Sequence, residues 1–259
     1  MGLRGVGYLI LLCLIHRGAA LGAVSDGHDT LTVAVAANAQ YVVQEIAEDW
    51  ERDVGGHATL VVGSSGKLAA QVREGAPFDV FVAADTEYPA ALQREGFAER
   101  PHVYAIGSLV VWTWRDSLRP DVALTFLRSG AVKQIAIANP AVAPYGAAAM
   151  EALTHAGLWP AVQSKLVLGE SVAQVNHYLT TGVVDAVITA QAMVHLPAWR
   201  GRGRWMVVDP SWYRPIEQAA VLLRHGRQRN AVAAEAFLAF LGSPTAQQRL
   251  THYGYRLPL

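Results

Sequence analysis

Four short stretches of this chain pair hydrogen-bond donors with the grammar of a helix start: Ala37-Asn38, Ser64-Ser65-Gly66, Pro144-Tyr145-Gly146 and Ser171-Val172. In each, a small or polar residue stands just before an amphipathic run. A helix N-terminus leaves backbone N–H groups unpaired, with a partial positive charge behind them. One such end is an ordinary cap; several aimed at one point make an anion site. The side chains at these junctions donate hydrogen bonds without carrying charge, and they supply no general base. An enzyme would need paired carboxylates, or a base beside a nucleophile, in the same loops.

Other chemistries find little support. No two of the nine histidines fall at i, i+4 with an acid between them, so a metal-ligand pair is not expected. Ser65 is not in a G-x-S-x-G elbow, and Gly63 to Gly66 lacks the Lys-Ser/Thr ending of a phosphate-binding loop. The basic stretch Arg200-Gly201-Arg202-Gly203-Arg204 reads as a solvated hairpin or connecting loop.

The elements that must position these junctions alternate along the chain. Leu31 to Ala36 reads as a strand running to Asn38. An amphipathic helix with Val42, Ile46 and Trp50 follows, ending near Gly55-Gly56. Thr59 to Val62 and Asp79 to Ala83 are further strands, with a helix through Leu68, Ala69 and Val72 between them. The pattern changes around Ile106, where Ser108 to Trp114 is a β-rich run. Alternation restarts at Gln134 to Ala138 and continues through Asp185 to Thr189, Glu217 to Leu223 and a helix over Ala231 to Phe240. This predicts an α/β protein of two lobes, each a mostly parallel sheet flanked by helices. Residues 24–105 with 215–259 form the first lobe and residues 106–214 the second. An internal echo agrees: Ser65 is followed by a helix, Gly75 and Asp79, and Ser171 by a helix, Gly182 and Asp185, with the Ser-to-Asp spacing 14 in both. In an open parallel sheet, loops leaving the carboxyl ends of strands line the ligand crevice, and Asn38, Ser65 and Tyr145 fall in such loops.

The chain has 259 residues, 52% hydrophobic and 16% charged, enough to bury one large core or two moderate ones. Lys plus Arg equals Asp plus Glu at 21 each, so no basic excess points to nucleic acid. An anionic ligand must then be held by local geometry. Arg4, the apolar run Val6 to Ile15 and the small residues Gly18 to Ala23 read as a signal peptide over residues 1–23. The only cysteine, Cys13, falls inside it, so the mature protein is expected to have neither disulfide nor thiol nucleophile.

Read in order, LTVAVAAN (31–38), GSSG followed by Lys67-Leu68-Ala69, GAPFDVF (75–81), Asn139-Pro140 with Ala143-Pro144-Tyr145-Gly146, and the closing Tyr253-Gly254-Tyr255 resemble the periplasmic molybdate-binding proteins of ABC importers. The resemblance runs from about residue 31 to the C-terminus. It implies a type II periplasmic-binding-protein fold with the ligand in the inter-lobe cleft. It also implies a monomeric, non-enzymatic receptor in the periplasm that takes molybdate or tungstate, needs no cofactor and hands its cargo to a permease. The implied contacts are Asn38, the Ala37 amide, Ser65, Tyr145 and Val172, the last through its amide; molybdenum would be held only as the oxyanion. The chain departs from the commoner family form at Asn38, where Ser is usual, and at Thr189, where Tyr is usual. It resembles a variant form with Asn in the first loop and Tyr in the Pro-Tyr-Gly loop, which leaves Thr189 open as a contact. Two alternatives stay open: a receptor for another small oxyanion such as sulfate, and the ligand-sensing half of a LysR-like regulator. Against the second, no helix-turn-helix precedes the first lobe and a signal peptide does.

The N-terminal reading makes a direct prediction. The exported protein should be cleaved between about residues 20 and 23. N-terminal sequencing that returns Met1 or Gly2 on exported protein contradicts it.

Overall fold

The computed structural model describes residues 30–258; the expected signal segment and Cys13 lie outside the described residues. Ten strands form two sheets. The first holds β1 (Leu31–Ala36), β2 (Ala58–Gly63), β3 (Val80–Val82), β4 (His102–Gly107) and β10 (Ile216–Leu222), in the order β2-β1-β3-β10-β4. The second holds β5 (Leu109–Thr113), β6 (Ile135–Ala138), β7 (Leu166–Gly169), β8 (Ala186–Ala190) and β9 (Arg204–Val207), in the order β7-β6-β8-β5-β9.

The two sheets share one plan. β2-β1-β3 and β7-β6-β8 are parallel triplets, and beside each lies an antiparallel pair, β10-β4 or β5-β9. The chain leaves the first sheet at Ser108, between β4 and β5, and returns between β9 and β10. β5 and β10, the strands entered at each crossing, take the same place beside their triplets.

The nine helices among the described residues are α1 (Gln40–Val54), α2 (Ser65–Arg73), α3 (Glu87–Arg94), α4 (Pro144–His155), α5 (Trp159–Val162), α6 (Val172–Thr180), α7 (Arg224–Arg229), α8 (Ala231–Leu241) and α9 (Pro244–His252). None is long and apolar enough to cross a membrane. The strands are Val-, Ile- and Ala-rich because helices cover both faces of each sheet. On one face of the first sheet, α1 buries Val42, Val43, Ile46 and Trp50, and Trp50 meets Phe237 of α8 edge-on at 5.4 Å. On the other, α2 and α3 bury Leu68, Ala69, Val72 and Leu92 against Phe81. Each such side chain contributes about 1.5–3 kcal/mol of burial.

The C-terminal segment is tied to α1. Arg249 pairs with Asp49 at 2.8 Å and Glu45 at 3.0 Å, and Tyr253 donates to Glu45 at 2.6 Å. Arg249, with Arg52, holds the Asp49 carboxyl below its usual range. This fastening places Tyr255 beneath the first lobe's binding loop.

Three strands and four helices escape the hydrophobic pattern. β4, β7, β9, α3, α5, α7 and α9 are short or carry polar faces, and their placement comes from tertiary neighbours. The basic stretch is a turn with Gly201 and Gly203 at positive φ, leading into edge strand β9. Arg202 there lies over the Trp114 ring, 5.8 Å from its centroid.

Candidate functional site

Each parallel triplet sends its loops to the same side, and the two sets face one another. Between them lies a small cavity of about 10 Å³. Asn38, Ser64 and Ser65 line it from the first lobe, and Tyr145 and Val172 from the second. Ala36, Ala37, Ala84, Ala143 and Pro144 complete its wall. All five expected site residues therefore meet at one cavity, from strand-to-helix turns in both lobes.

The donors differ in kind. Ser65, Tyr145 and Val172 begin α2, α4 and α6, and first-turn amides have no partner within their helix. Pro144 opens α4, where its missing N–H costs nothing. The Ser65 hydroxyl accepts from the Ala84 amide at 2.9 Å, which leaves its own proton free to donate. The Ala37 amide, expected as a contact, is corrected by the structure. It donates to the Gly63 carbonyl at 2.9 Å, extending the β1–β2 ladder by one bond, so Ala37 forms wall and not donor. The Asn38 side-chain amide is also committed, to Gln218 Oε1 at 2.8 Å and to the Tyr255 hydroxyl at 3.1 Å. What Asn38 offers the cavity is its main-chain N–H, which makes no hydrogen bond among the described residues.

Ser64 was not singled out by the sequence as a contact. It is the N-cap of α2 and 4% exposed, yet its hydroxyl makes no capping bond and has no partner. The serine caps of α6 and α9 behave differently: Ser171 accepts from the Gln174 amide and Ser243 from the Ala246 amide. An unpaired buried hydroxyl costs about 1–3 kcal/mol, and Ser64 leaves one uncommitted at the cavity wall. The signal available in the sequence was the doubled serine. Thr189 lies within β8 opposite Val110; its hydroxyl is buried and unpaired, but it does not line the cavity.

No charged side chain lines the cavity. Burial pushes the Tyr145 phenol well above its usual range, so it stays protonated and remains a donor. Asp85, next along the chain from Ala84, has its carboxyl pushed up to about 6 by burial. A wider groove of about 460 Å³ adjoins the cavity beyond Ala143 and Pro144. It is lined by Arg73, Arg94, Asp85, Glu87, Glu151 and Arg214, among others; Arg214 is held by Glu151 at 2.8 Å and Arg73 by Glu95 at 2.7 Å. Among the described residues, no cluster of His, Cys, Asp and Glu is arranged to hold a metal ion.

The lobes are closed over the cavity. The Gly66 amide donates across the cleft to the Val142 carbonyl at 3.0 Å, and Lys67 meets Glu170 at 2.5 Å. The ion pair is exposed on both sides and contributes at most about 1 kcal/mol.

Comparison with known proteins matches residues 31–256 to the bacterial extracellular solute-binding protein family. The molybdate-binding protein ModA of Azotobacter vinelandii is 37% identical over 246 residues, covering 94% of this chain and 96% of that protein. ModA of Rhodobacter capsulatus is 37% identical over 224 residues, 86% of each chain. The solved periplasmic molybdate-binding protein of A. vinelandii superposes with a TM-score of 0.83 at 32% identity, covering 88% of this chain and 100% of that one. The two-lobed α/β fold is thus shared with a solved relative.

The tight crossing at Gly66 yields a prediction. A Cβ there would stand 2.9 Å from the Val142 carbonyl oxygen and 2.7 Å from the Tyr88 hydroxyl, both across or beside the cleft. Within α2, however, alanine is the better helix former by about 1 kcal/mol. Gly66→Ala should therefore leave the unfolding temperature of the empty protein unchanged or slightly raised while holding the lobes apart. Small-angle scattering should show less compaction with saturating molybdate than in the parent; equal compaction removes Gly66 from the closure surface.

Proposed function

The chain belongs to the molybdate-binding family of bacterial extracellular solute-binding proteins, and from that premise we propose that it captures molybdate or tungstate in the periplasm for an ABC importer. The observation that carries this reading is the cavity: small, closed between two lobes, and lined by unpaired neutral donors with no ionised side chain. A dianion there accepts from the amides of Asn38, Ser65, Tyr145 and Val172 and from the hydroxyls of Ser64, Ser65 and Tyr145. Three helix N-termini supply the positive potential that a counter-ion would otherwise provide. Donors from both lobes meet one ligand only when the cleft is shut, so binding favours the closed state. A permease can then distinguish loaded from empty receptor by shape.

The serines test the contact set. Replacing Ser65 or Ser64 by Ala removes a hydrogen bond to a charged acceptor, about 1.5–3 kcal/mol. Each variant should bind molybdate about ten- to a hundredfold more weakly by calorimetry. Loss of Ser64 should not destabilise the empty protein, since its hydroxyl holds nothing within the fold. Unchanged affinity in either variant removes that serine from the site.

Selectivity tests the ligand class. Near neutral pH molybdate, tungstate and sulfate present four unprotonated oxygens, whereas phosphate carries at least one proton. With no carboxylate in the lining, that proton meets only donors and is left unpaired, a loss of about 1–3 kcal/mol. Sulfate is smaller and would sit on stretched bonds. The expected order in competition calorimetry is molybdate and tungstate nearly equal, then sulfate, then phosphate. Phosphate binding as tightly as molybdate refutes a site built of donors alone.

A further inference from the structure

Gln218, on β10, is fully buried behind the cavity wall, hydrogen-bonded to the wall residues Asn38 and Tyr145 and to Tyr104. We propose that Gln218 is a positioning residue that fixes Tyr145 as a donor toward the bound oxyanion, an inference that rests on the site reading above. The direction of every bond in the network follows from one group that has no choice. The Asn38 carbonyl only accepts, so the Tyr255 hydroxyl at 2.9 Å spends its proton there. The Tyr255 oxygen must then accept, and its partner at 3.1 Å is the Asn38 side-chain N–H. That settles which end of the Asn38 amide is nitrogen. Its second N–H points at Gln218 at 2.8 Å, so Gln218 turns its oxygen to Asn38, where it also receives the Tyr104 hydroxyl at 3.0 Å. Gln218 nitrogen therefore faces Tyr145 and donates to its hydroxyl at 3.0 Å. With Gln218 donating to its oxygen, the Tyr145 hydroxyl is biased toward presenting its proton, and Tyr145 lines the cavity.

A tyrosine hydroxyl otherwise swivels between donating and accepting, and facing a dianion the accepting orientation is repulsive. Gln218 removes that freedom before the ligand arrives, which is preorganisation in the usual sense. The groups around Gln218 suit this role because none is charged. Burial pushes the phenols of Tyr104, Tyr145 and Tyr255 up, so none ionises near neutral pH to reverse the chain.

The test is a double-mutant cycle of Gln218→Glu with Tyr145→Phe, read by molybdate affinity at micromolar protein between about pH 6 and about pH 8. The substitution keeps the shape and the accepting oxygen but, when ionised, turns the donor toward Tyr145 into an acceptor. Tyr145 should then give its proton to the new carboxylate and lose the ligand. When the new carboxyl is protonated, its O–H can donate to Tyr145 and restore the original polarity. Charge repulsion between that carboxylate and the anion acts in both Tyr145 and Tyr145→Phe backgrounds and cancels in the cycle. The expected result is that raising the pH weakens Gln218→Glu by about tenfold more in the Tyr145 background than in the Tyr145→Phe background. Equal pH dependence in both backgrounds overturns the proposal. If Tyr145→Phe alone binds molybdate as tightly as the parent, the site reading fails at Tyr145 itself, a result distinct from the first. Should Gln218→Glu not fold, the neutral Gln218→Met replaces it in the cycle at a single pH. A loss that vanishes with Tyr145→Phe supports the proposal, and a loss of the same size in both backgrounds overturns it.

Discussion

In the function proposed above, the structure turns on one constraint: an anion must be taken out of water without a counter-ion. Removing a charge from solvent is costly unless hydrogen bonds replace its hydration shell. Here they come from neutral groups that the fold deliberately leaves unpaired, chiefly the first-turn amides of α2, α4 and α6. Such amides are free in every helix, but they are of use only if several point at one spot. The repeated plan of two parallel triplets provides that convergence, because each triplet sends its strand-to-helix turns to one edge of its sheet and the two edges face each other.

Unpaired donors make the empty closed state expensive and the open state tolerable. Open, the Ser64 hydroxyl and the free amides are hydrated; closed and empty, each forfeits about 1–3 kcal/mol. The contacts that span the cleft include the Gly66 backbone bond, the Tyr88 hydroxyl on the Ala141 carbonyl at 3.4 Å, the Gln218–Tyr145 bond at 3.0 Å, and exposed ion pairs of Lys67 with Glu170 and Arg214 with Glu87. The exposed ion pairs contribute at most about 1 kcal/mol each, and on the function proposed above the ligand supplies the remaining differential free energy for closure. A lining of charged side chains would have bound more indiscriminately, since any anion would satisfy it.

The hydrophobic pattern revealed β1, β2 and β3 of the first triplet and β6 and β8 of the second; β1, β3, β6 and β8 are buried on both faces and read as apolar runs, as in Leu31–Ala36 and Ile135–Ala138. It missed β7 and β9 because edge strands take their identity from pairing, and Arg204 at the start of β9 reads as loop. The site junctions were legible through the grammar of helix starts. Which atoms of those residues serve the ligand was not. Ala37 loses its amide to Gly63, a bond between positions far apart in sequence, and Asn38 loses its side chain to Gln218 and Tyr255 for the same reason. Ser64 was hidden by its neighbour, since either serine of the pair could have been the cap. Gln218 carried no local signal at all, sitting in a strand whose other residues are mostly apolar.

The same buried network links the site to the crossing between the lobes. β4 and β10 pair with each other, and both end where the chain passes between sheets: Gly107 of β4 is followed by Ser108 and β5, and Ile216 opens β10 on the return. A Cβ on Gly107 would stand 2.0 Å from the Tyr145 hydroxyl, so a second-lobe donor is seated directly against a crossing strand. Gln218 joins that hydroxyl from the neighbouring strand. Tyr145 thus faces the cavity on one side and both crossing strands on the other. Glycine at 107 is required by that contact, not by its backbone angle, and any side chain there would push Tyr145 out of reach of Gln218 and of the ligand. The geometry of the donor and the geometry of the crossing are therefore set by the same few atoms.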